Sequence, residues 1–342
     1  MNRKNNFDFI RLVLALMVAI VHLGTLTQNI HIQQVSGYFD SKLAVDAFFI
    51  VSGFLIFMSY EHSKSNKIYA YKRIKRILPG YIFVILFSSI ILFFVSNNNF
   101  QNYFNIDFMK YVIYNLLTLN FLHPTLPGIF DNNYMDAVNG ALWTIKVEIM
   151  FYISVPFIIY FMKKINKLYI LILILIYMLA ILYYQVMTYF SIDYPFASKL
   201  SKQLPTQLAY FISGASLYYY HELFKKYSLP LLIGSLLILV LYKISTPIHF
   251  LYPFALSIIV IYIATVLKYL GNFGKFGDLS FGIYIWHFPI IQVLISYNVF
   301  SNTTYGVLFF LISIFLASFI SWHLIEKRFL YKSSHYIKED KY

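Results

Sequence analysis

The sequence predicts an all-α protein, a polytopic transmembrane helical bundle of about ten spanning helices with both termini cytoplasmic. Three observations predict it. Of the 342 residues, 60% are hydrophobic and only 12% charged, about half the charge of a soluble domain. Apolar runs such as Leu229–Tyr242, Tyr252–Leu267 and Gly306–Ser321 are too numerous to share one aqueous core. Finally, Lys and Arg fall almost entirely on alternate connections between the runs, the bias that marks cytoplasmic loops.

About 20 apolar residues cross a hydrocarbon core. On that length the spans lie near 7–27, 43–62, 77–96, 141–162, 168–187, 205–221, 229–244, 250–268, 280–299 and 304–325. The first follows Asn2-Arg3-Lys4 and runs to about Leu26 without a small-residue cleavage site, so it reads as a retained span rather than a signal peptide. The stretch 108–122 is apolar but too short, and is expected as a lateral or re-entrant piece on the outer side. It belongs to the longest connection, 97–140, whose turn formers are Asn97-Asn98-Asn99, Pro124, Pro127-Gly128 and Asp131-Asn132-Asn133. No internal repeat, linker or soluble domain is visible. The expectation is one integral domain over 1–330 and a cytoplasmic tail over 331–342.

Loop charges test the count. Twenty Lys and Arg fall on inner segments, among them Lys64, Lys67, Lys72, Arg73, Lys75, Arg76, Lys163, Lys164, Lys225, Lys226 and Lys327. Outer segments hold five: Lys42, Lys110, Lys199, Lys202 and Lys243. A span at 108–122 would invert everything downstream and destroy the bias. The net charge of +13 therefore belongs to inner loops facing lipid headgroups, not to nucleic-acid binding. Without cysteine there is no thiol nucleophile and no disulfide scaffold. There is also no phosphate loop, no H-E-x-x-H metal motif and no dinucleotide fingerprint. No bound metal or cofactor is expected.

Ionisable residues inside spans are costly and point to function. Arg11 and His22 share the first helix, 11 residues apart. That separation is about 20° from three full turns, so both occupy one face roughly 16 Å apart. Arg11 lies at the inner end, His22 towards the outside. Each has a plainer reading, Arg11 as a snorkelling side chain and His22 as a packing residue. Asp46 enters the second helix at the level of His22, where a carboxylate can orient an imidazole or simply cap the helix. In the fourth helix Trp143, Lys146 and Glu148 follow Gly140 within two turns, and Lys146 can pair with Glu148 or snorkel. Arg73 and Arg76 are helical neighbours suited to bidentate phosphate contacts, or else an ordinary headgroup-binding flank. His287 and Glu326 are expected in the inner half. Buried charges in ten helices also suit a transporter of a lipid-linked glycan, although neither repeats nor broken helices are visible.

Taken in order, these residues resemble the acyltransferase-3 family of integral membrane O-acyltransferases, nearly end to end. The family's Arg-x10-His is matched by Arg11 and His22, and its Asp-hydrophobic-Phe-Phe-x-x-Ser-Gly-Phe-Leu-Ile element by Asp46 to Ile56. Its basic element ahead of Ile-x-Pro resembles Arg73 to Pro79. Leu-Trp-Ser-Leu-x-x-Glu-x-x-Phe-Tyr is similar to Leu142 to Tyr152, with Thr144 in place of Ser and Lys146 ahead of Glu148. The late Tyr-x-x-Tyr-Leu-Trp-His-x-Pro-Ile element corresponds to Phe281 to Ile290, and the closing Ile-Glu-Lys to Ile325-Glu326-Lys327.

The resemblance implies a stand-alone enzyme of the bacterial plasma (inner) membrane. It would move an acyl group, usually acetyl, from cytoplasmic acyl-CoA to a hydroxyl of a cell-surface or lipid-linked glycan. Acyl-CoA and the carbohydrate acceptor are then its substrates, with membrane lipids and glycan-assembly enzymes as partners. On this reading Arg11, Arg73, Arg76 and His287 bind the acyl-CoA. His22 acts with Asp46 and Glu148 in catalysis, as general base or as an acyl-histidine relay. Trp143 contacts the acceptor. The pantetheine arm of CoA is comparable in length to the Arg11-to-His22 separation.

The absence of native cysteine makes the predicted sidedness easy to read. Ser65→Cys is expected to resist an impermeant thiol reagent in intact cells, whereas Asn98→Cys and Asn132→Cys label. Labelling at Asn98 without labelling at Asn132 would make 108–122 a true span.

Overall fold

The computed structural model describes residues 4–165, 169–242 and 246–331. All regular structure among them is helical. Ten helices overlap the ten predicted runs: α1 (Phe7–Thr27), α2 (Ser41–Glu61), α3 (Asn66–Ile91), α4 (Trp143–Ile165), α5 (Tyr169–Phe190), α6 (Leu204–Tyr219), α7 (Ser228–Tyr242), α8 (Tyr252–Thr265), α9 (Leu279–Ser296) and α10 (Thr303–Ser321). Seven of them, α1 to α5 with α9 and α10, are long and apolar enough to cross a membrane, among the described residues. The other three have 16, 15 and 14 residues. At about 1.5 Å per residue they fall short of a core of about 30 Å. The hydropathy runs overshoot mainly at their ends, by two residues at α6 and three at α8, while proline in the first turn sets the start of α8 two residues late. The expected tail beyond Tyr331 lies outside the described residues, as do Arg3, Lys167 and Lys243.

The chain divides into two compact units. The first takes the residues up to Ile10, then Val45–Ala70 and Val147–Gly271. Its centre is the short helix α6, which buries ten of its 16 residues. Here α2 and α6 cross backbone against backbone. A Cβ on Gly53 would lie 1.9 Å from the Phe211 carbonyl oxygen, and one on Gly214 would lie 2.0 Å from that of Ile50. Only glycine permits that approach, the usual device where lipid offers no hydrophobic drive for helix association. Around the crossing, the Phe151 and Phe211 rings stack at 4.0 Å, with Phe49 edge-on to Phe151. Asn6 anchors the start of α1 on the end of α8. Its backbone N–H donates to Ala264 (2.9 Å) and its side-chain amide to Ile263 (2.9 Å), while its Oδ1 accepts from Leu270 N–H. Carbonyls that α8 leaves open at its end are thus satisfied.

The second unit takes Arg11–Ala44, Tyr71–Lys146 and the residues from Asn272 onward. Its core helix is α9, which buries 12 of its 18 residues. The 97–140 connection folds back on its own start: the Gly128 carbonyl, at a residue with φ +68°, accepts from Asn97 N–H at 3.0 Å. Within it, Ile106–Leu116 forms an 11-residue helix, about 16 Å long, so the segment expected to be lateral is too short to span. Its buried residues, Tyr111 and Asn115, lie on one face, and the Tyr81 hydroxyl of α3 donates to the Asn115 carbonyl at 2.6 Å.

The end of this connection is strapped to α9 at a break in that helix. Pro289 has no N–H for the Ile285 carbonyl one turn earlier. Asn139 fills the place, its amide donating to Ile285 at 2.8 Å while its Oδ1 caps the following turn through Ala141 N–H. One turn on, the Gln292 amide donates to the carbonyls of Met135 (2.6 Å) and Ala137 (2.8 Å). Asn139→Ala should therefore strand a buried carbonyl and cost about 1–3 kcal/mol, read as thermal unfolding in detergent. Adding Pro289→Ala restores a helical donor and should recover part of the loss. Strict additivity of the two changes would break the link.

Candidate active site

Asp278 is the residue on which the second unit converges. It precedes α9, where its Oδ1 caps the helix through Ser280 N–H (3.3 Å) and accepts the Ser280 hydroxyl. The other oxygen, Oδ2, takes two guanidinium groups, Arg11 at 2.9 Å and Arg76 in close contact. The carboxylate is 2% exposed and the two arginines 16% and 19%, so the cluster is largely removed from water. Two cations thus meet on one carboxylate oxygen, and the Glu326 carboxyl lies near enough to interact with both Arg76 and Asp278.

Arg76 also lies 5.9 Å from the Trp322 ring, a cation–π contact. Trp322 opens a π-helical turn, Trp322–Glu326, that follows α10, and such turns collect at functional sites. Gly277 makes room for it: with φ +107°, a Cβ there would stand 2.0 Å from the indole nitrogen. At the end of the turn Glu326, 2% exposed, accepts the Ser321 hydroxyl at 2.8 Å.

A second cluster sits three turns further along α1. The Nδ1 of His22 and the Nε2 of His287 are 2.7 Å apart, the ring planes inclined by only 19° with centroids 5.0 Å apart, so the two imidazoles meet edge to edge. The Phe288 ring closes edge-on over His22 at 5.6 Å. His287 is fully buried, and its Nδ1 lies 3.2 Å from the Ile283 carbonyl oxygen. Next to it, the Tyr284 hydroxyl bonds Thr144 Oγ1 at 2.7 Å. Thus the position where the family pattern carries serine still supplies a hydroxyl.

The geometry joins the predicted residues differently from their sequence order. Arg11 and Arg76 come together, through a carboxylate that sequence reasoning passed over. Asp278 did leave a signal: an Asp-x-Ser cap directly ahead of an apolar run. His287 was expected in the inner half. It stands instead at the level of His22, because α9 starts at the Arg11 level and nine residues carry it up by about 14 Å. Arg73 lies on α3, three residues before Arg76 and half-buried. Trp143 is half-buried at the first turn of α4.

In the first unit, Asp46 is 2% exposed and hydrogen-bonded to Tyr210. The cap of α2 is Asp40, which accepts from Lys42 and Leu43 N–H at 2.8 and 3.1 Å, so the capping alternative for Asp46 falls away. Glu148 accepts the Tyr152 hydroxyl at 2.7 Å. Lys146, in the second unit, sits 4.9 Å over the Phe121 ring.

A helical membrane protein with an arginine cluster and a histidine pair on one helix face is the class that fold and site define. The chain belongs to the acyltransferase-3 family, whose acyltransferase-domain model matches residues 4–323. It is 27% identical to an O-acetyl transferase of Shigella phage Sf6 over 342 residues, covering 98% of each chain. It is likewise 27% identical to nodulation protein 10 of Rhizobium leguminosarum bv. viciae over 167 residues, 46% of this chain and 44% of the relative. No solved structure matches.

The cluster around Asp278 gives a direct test. Asp278→Asn keeps the shape but leaves two buried guanidinium groups facing each other, and should cost about 3–5 kcal/mol. Adding Arg76→Met removes one stranded cation and should recover part of that loss. Unfolding of Asp278→Asn within about 0.5 kcal/mol of the parent, the range of ordinary surface changes, would rule out a structural role for the pairing.

Proposed function

We propose that the protein transfers an acyl group, acetyl in the first instance, from cytoplasmic acyl-CoA to a hydroxyl of a cell-surface or lipid-linked glycan. The observation that carries this reading is the pairing of an arginine cluster with a histidine pair, three turns apart on α1. The guanidinium groups of Arg11 and Arg76, extended by Arg73, suit the CoA phosphates. The pantetheine arm then brings the thioester to His22. There the imidazole takes the acceptor hydroxyl proton, and the oxygen attacks the thioester carbonyl. The C–S bond breaks, the CoA thiolate takes up the proton from His22, and the new ester remains on the glycan. Trp143 and Glu148, both early in α4, serve the acceptor. Asp46 and Glu148 are the carboxylates that the family motifs contribute.

Two features support the assignment beyond the geometry. The phage relative, named for O-acetyl transfer, aligns over 98% of both chains, so the same activity is the natural candidate here. The positive-inside bias supports an arginine cluster on the cytoplasmic side, where CoA is made, and cytoplasmic termini; the bacterial inner membrane is part of the same proposal.

Purified protein with acetyl-CoA and isolated glycan tests the proposal. His22→Ala should lower the rate by about 10²–10⁴-fold with normal membrane insertion. Arg73→Ala should raise KM for acetyl-CoA more than for its dephospho form, and Arg73→Lys should restore only part of it. Retention by His22→Ala of more than a tenth of the parent rate would make His22 a packing residue.

A further inference from the structure

We propose that His287 is a positioning residue that selects the tautomer of His22, leaving Nε2 of His22 as the atom that accepts the proton. The inference rests on the reading of His22 as general base, and replaces the acyl-CoA contact that the sequence suggested for His287.

The argument starts from a group that can only accept. The Ile283 carbonyl oxygen lies 3.2 Å from Nδ1 of His287, so Nδ1 carries the hydrogen. A neutral imidazole has one N–H and one lone pair, which leaves the lone pair of His287 on Nε2. That nitrogen is 2.7 Å from Nδ1 of His22, which must therefore donate, and the lone pair of His22 falls on Nε2. Neither ring has a bonded carboxylate among the described residues to hold a positive charge, and His287 is fully buried, where an unpaired cation is costly. The neutral chain from Ile283 through His287 to His22 is thus the arrangement that satisfies all three nitrogens.

Packing fixes the donor ring in place. The His287 ring, edge to edge with it, and the Phe288 ring, at a steep angle, hold His22 on two sides. The Tyr284 ring lies against His287 at 5.9 Å, itself tied to Thr144. Bound through Nδ1, His22 has its Nε2 left for substrate. A neutral histidine here does the orienting work that a carboxylate does in hydrolytic triads. It fixes the tautomer but lends no negative charge to the imidazolium formed during transfer.

Imidazole nitrogen NMR of the 15N-histidine-labelled full chain reads the tautomer directly, with the His22 signals assigned by their loss in His22→Ala. The parent protein should show His22 protonated at Nδ1 and bare at Nε2. His287→Phe keeps a buried ring but removes the acceptor, and should shift His22 towards the Nε2–H form. It should lower kcat by about 10²-fold, the low end for loss of a general base, at unchanged KM for acetyl-CoA. In His287→Gln an amide oxygen stands near the former Nε2 and can accept from His22. This variant should recover at least a tenth of the parent kcat, whereas the shorter His287→Asn should not. A His22 spectrum that is Nε2–H in the parent, or unchanged by His287→Phe, overturns the proposal. A raised donor KM with unchanged kcat overturns it too, and makes His287 a donor contact. The spectrum responds whether or not acyl transfer is the reaction, so failure of that reading is distinguishable from failure of this one.

Discussion

Two guanidinium groups share one carboxylate oxygen where α1, α3 and the start of α9 meet, and the second unit is arranged around that fact. Burying charge is expensive, and a buried ion pair is weak evidence for stability in itself. What it provides here is location. Asp278 satisfies the first turn of α9 with one oxygen and holds Arg11 and Arg76 with the other. Any slippage of the three helices would strand a charge in an apolar interior. Apolar surfaces facing lipid tolerate sliding far better, because lipid tails and leucine side chains are equally apolar.

The histidine pair adds a second pin. From Arg11 to His22 is 11 residues along α1, and from Asp278 to His287 is nine along α9. The two rises, about 16 and 14 Å, are close enough for two parallel helices to meet at both ends. An ionic contact at one end and an imidazole pair at the other fix register, direction and rotation together. Just beyond His287, Pro289 supplies no N–H for the Ile285 carbonyl, and Asn139 donates to it instead. The functional level of α9 is thereby held by the connection that leads into α4. The π-helical turn after α10 completes the arrangement by bringing Trp322 against Arg76, in space that Gly277 leaves empty.

The first unit is organised differently. Its close crossing of α2 and α6 rests on shape, through Gly53 and Gly214, and two of its carboxylates that belong to the family motifs have tyrosine hydroxyls as partners. Asp46 meets Tyr210 and Glu148 meets Tyr152. In the proposed reaction the arginine cluster of the second unit is the part suited to phosphate.

By itself the sequence determined the helical class, the position of every long helix, the family, and the shared face of Arg11 and His22. Each of these follows from one-dimensional quantities: hydropathy over about 20 residues, a helical repeat of 3.6 residues, and ordered motifs. Asp278 carried no more than the pattern of a helix cap, and went unnoticed. Only the tertiary structure decided which charges meet. Arg11, Arg76 and Asp278 are separated by 65 residues and more, and no periodicity links them. The level of His287 was misjudged for a related reason: a motif gives an order along the chain, while depth depends on where its helix begins, and Asp278 set that. Length alone could not divide seven full-length helices from three short ones either. Hydropathy ignores where proline and caps end a helix, whereas the backbone must satisfy every N–H and C=O that an ending exposes.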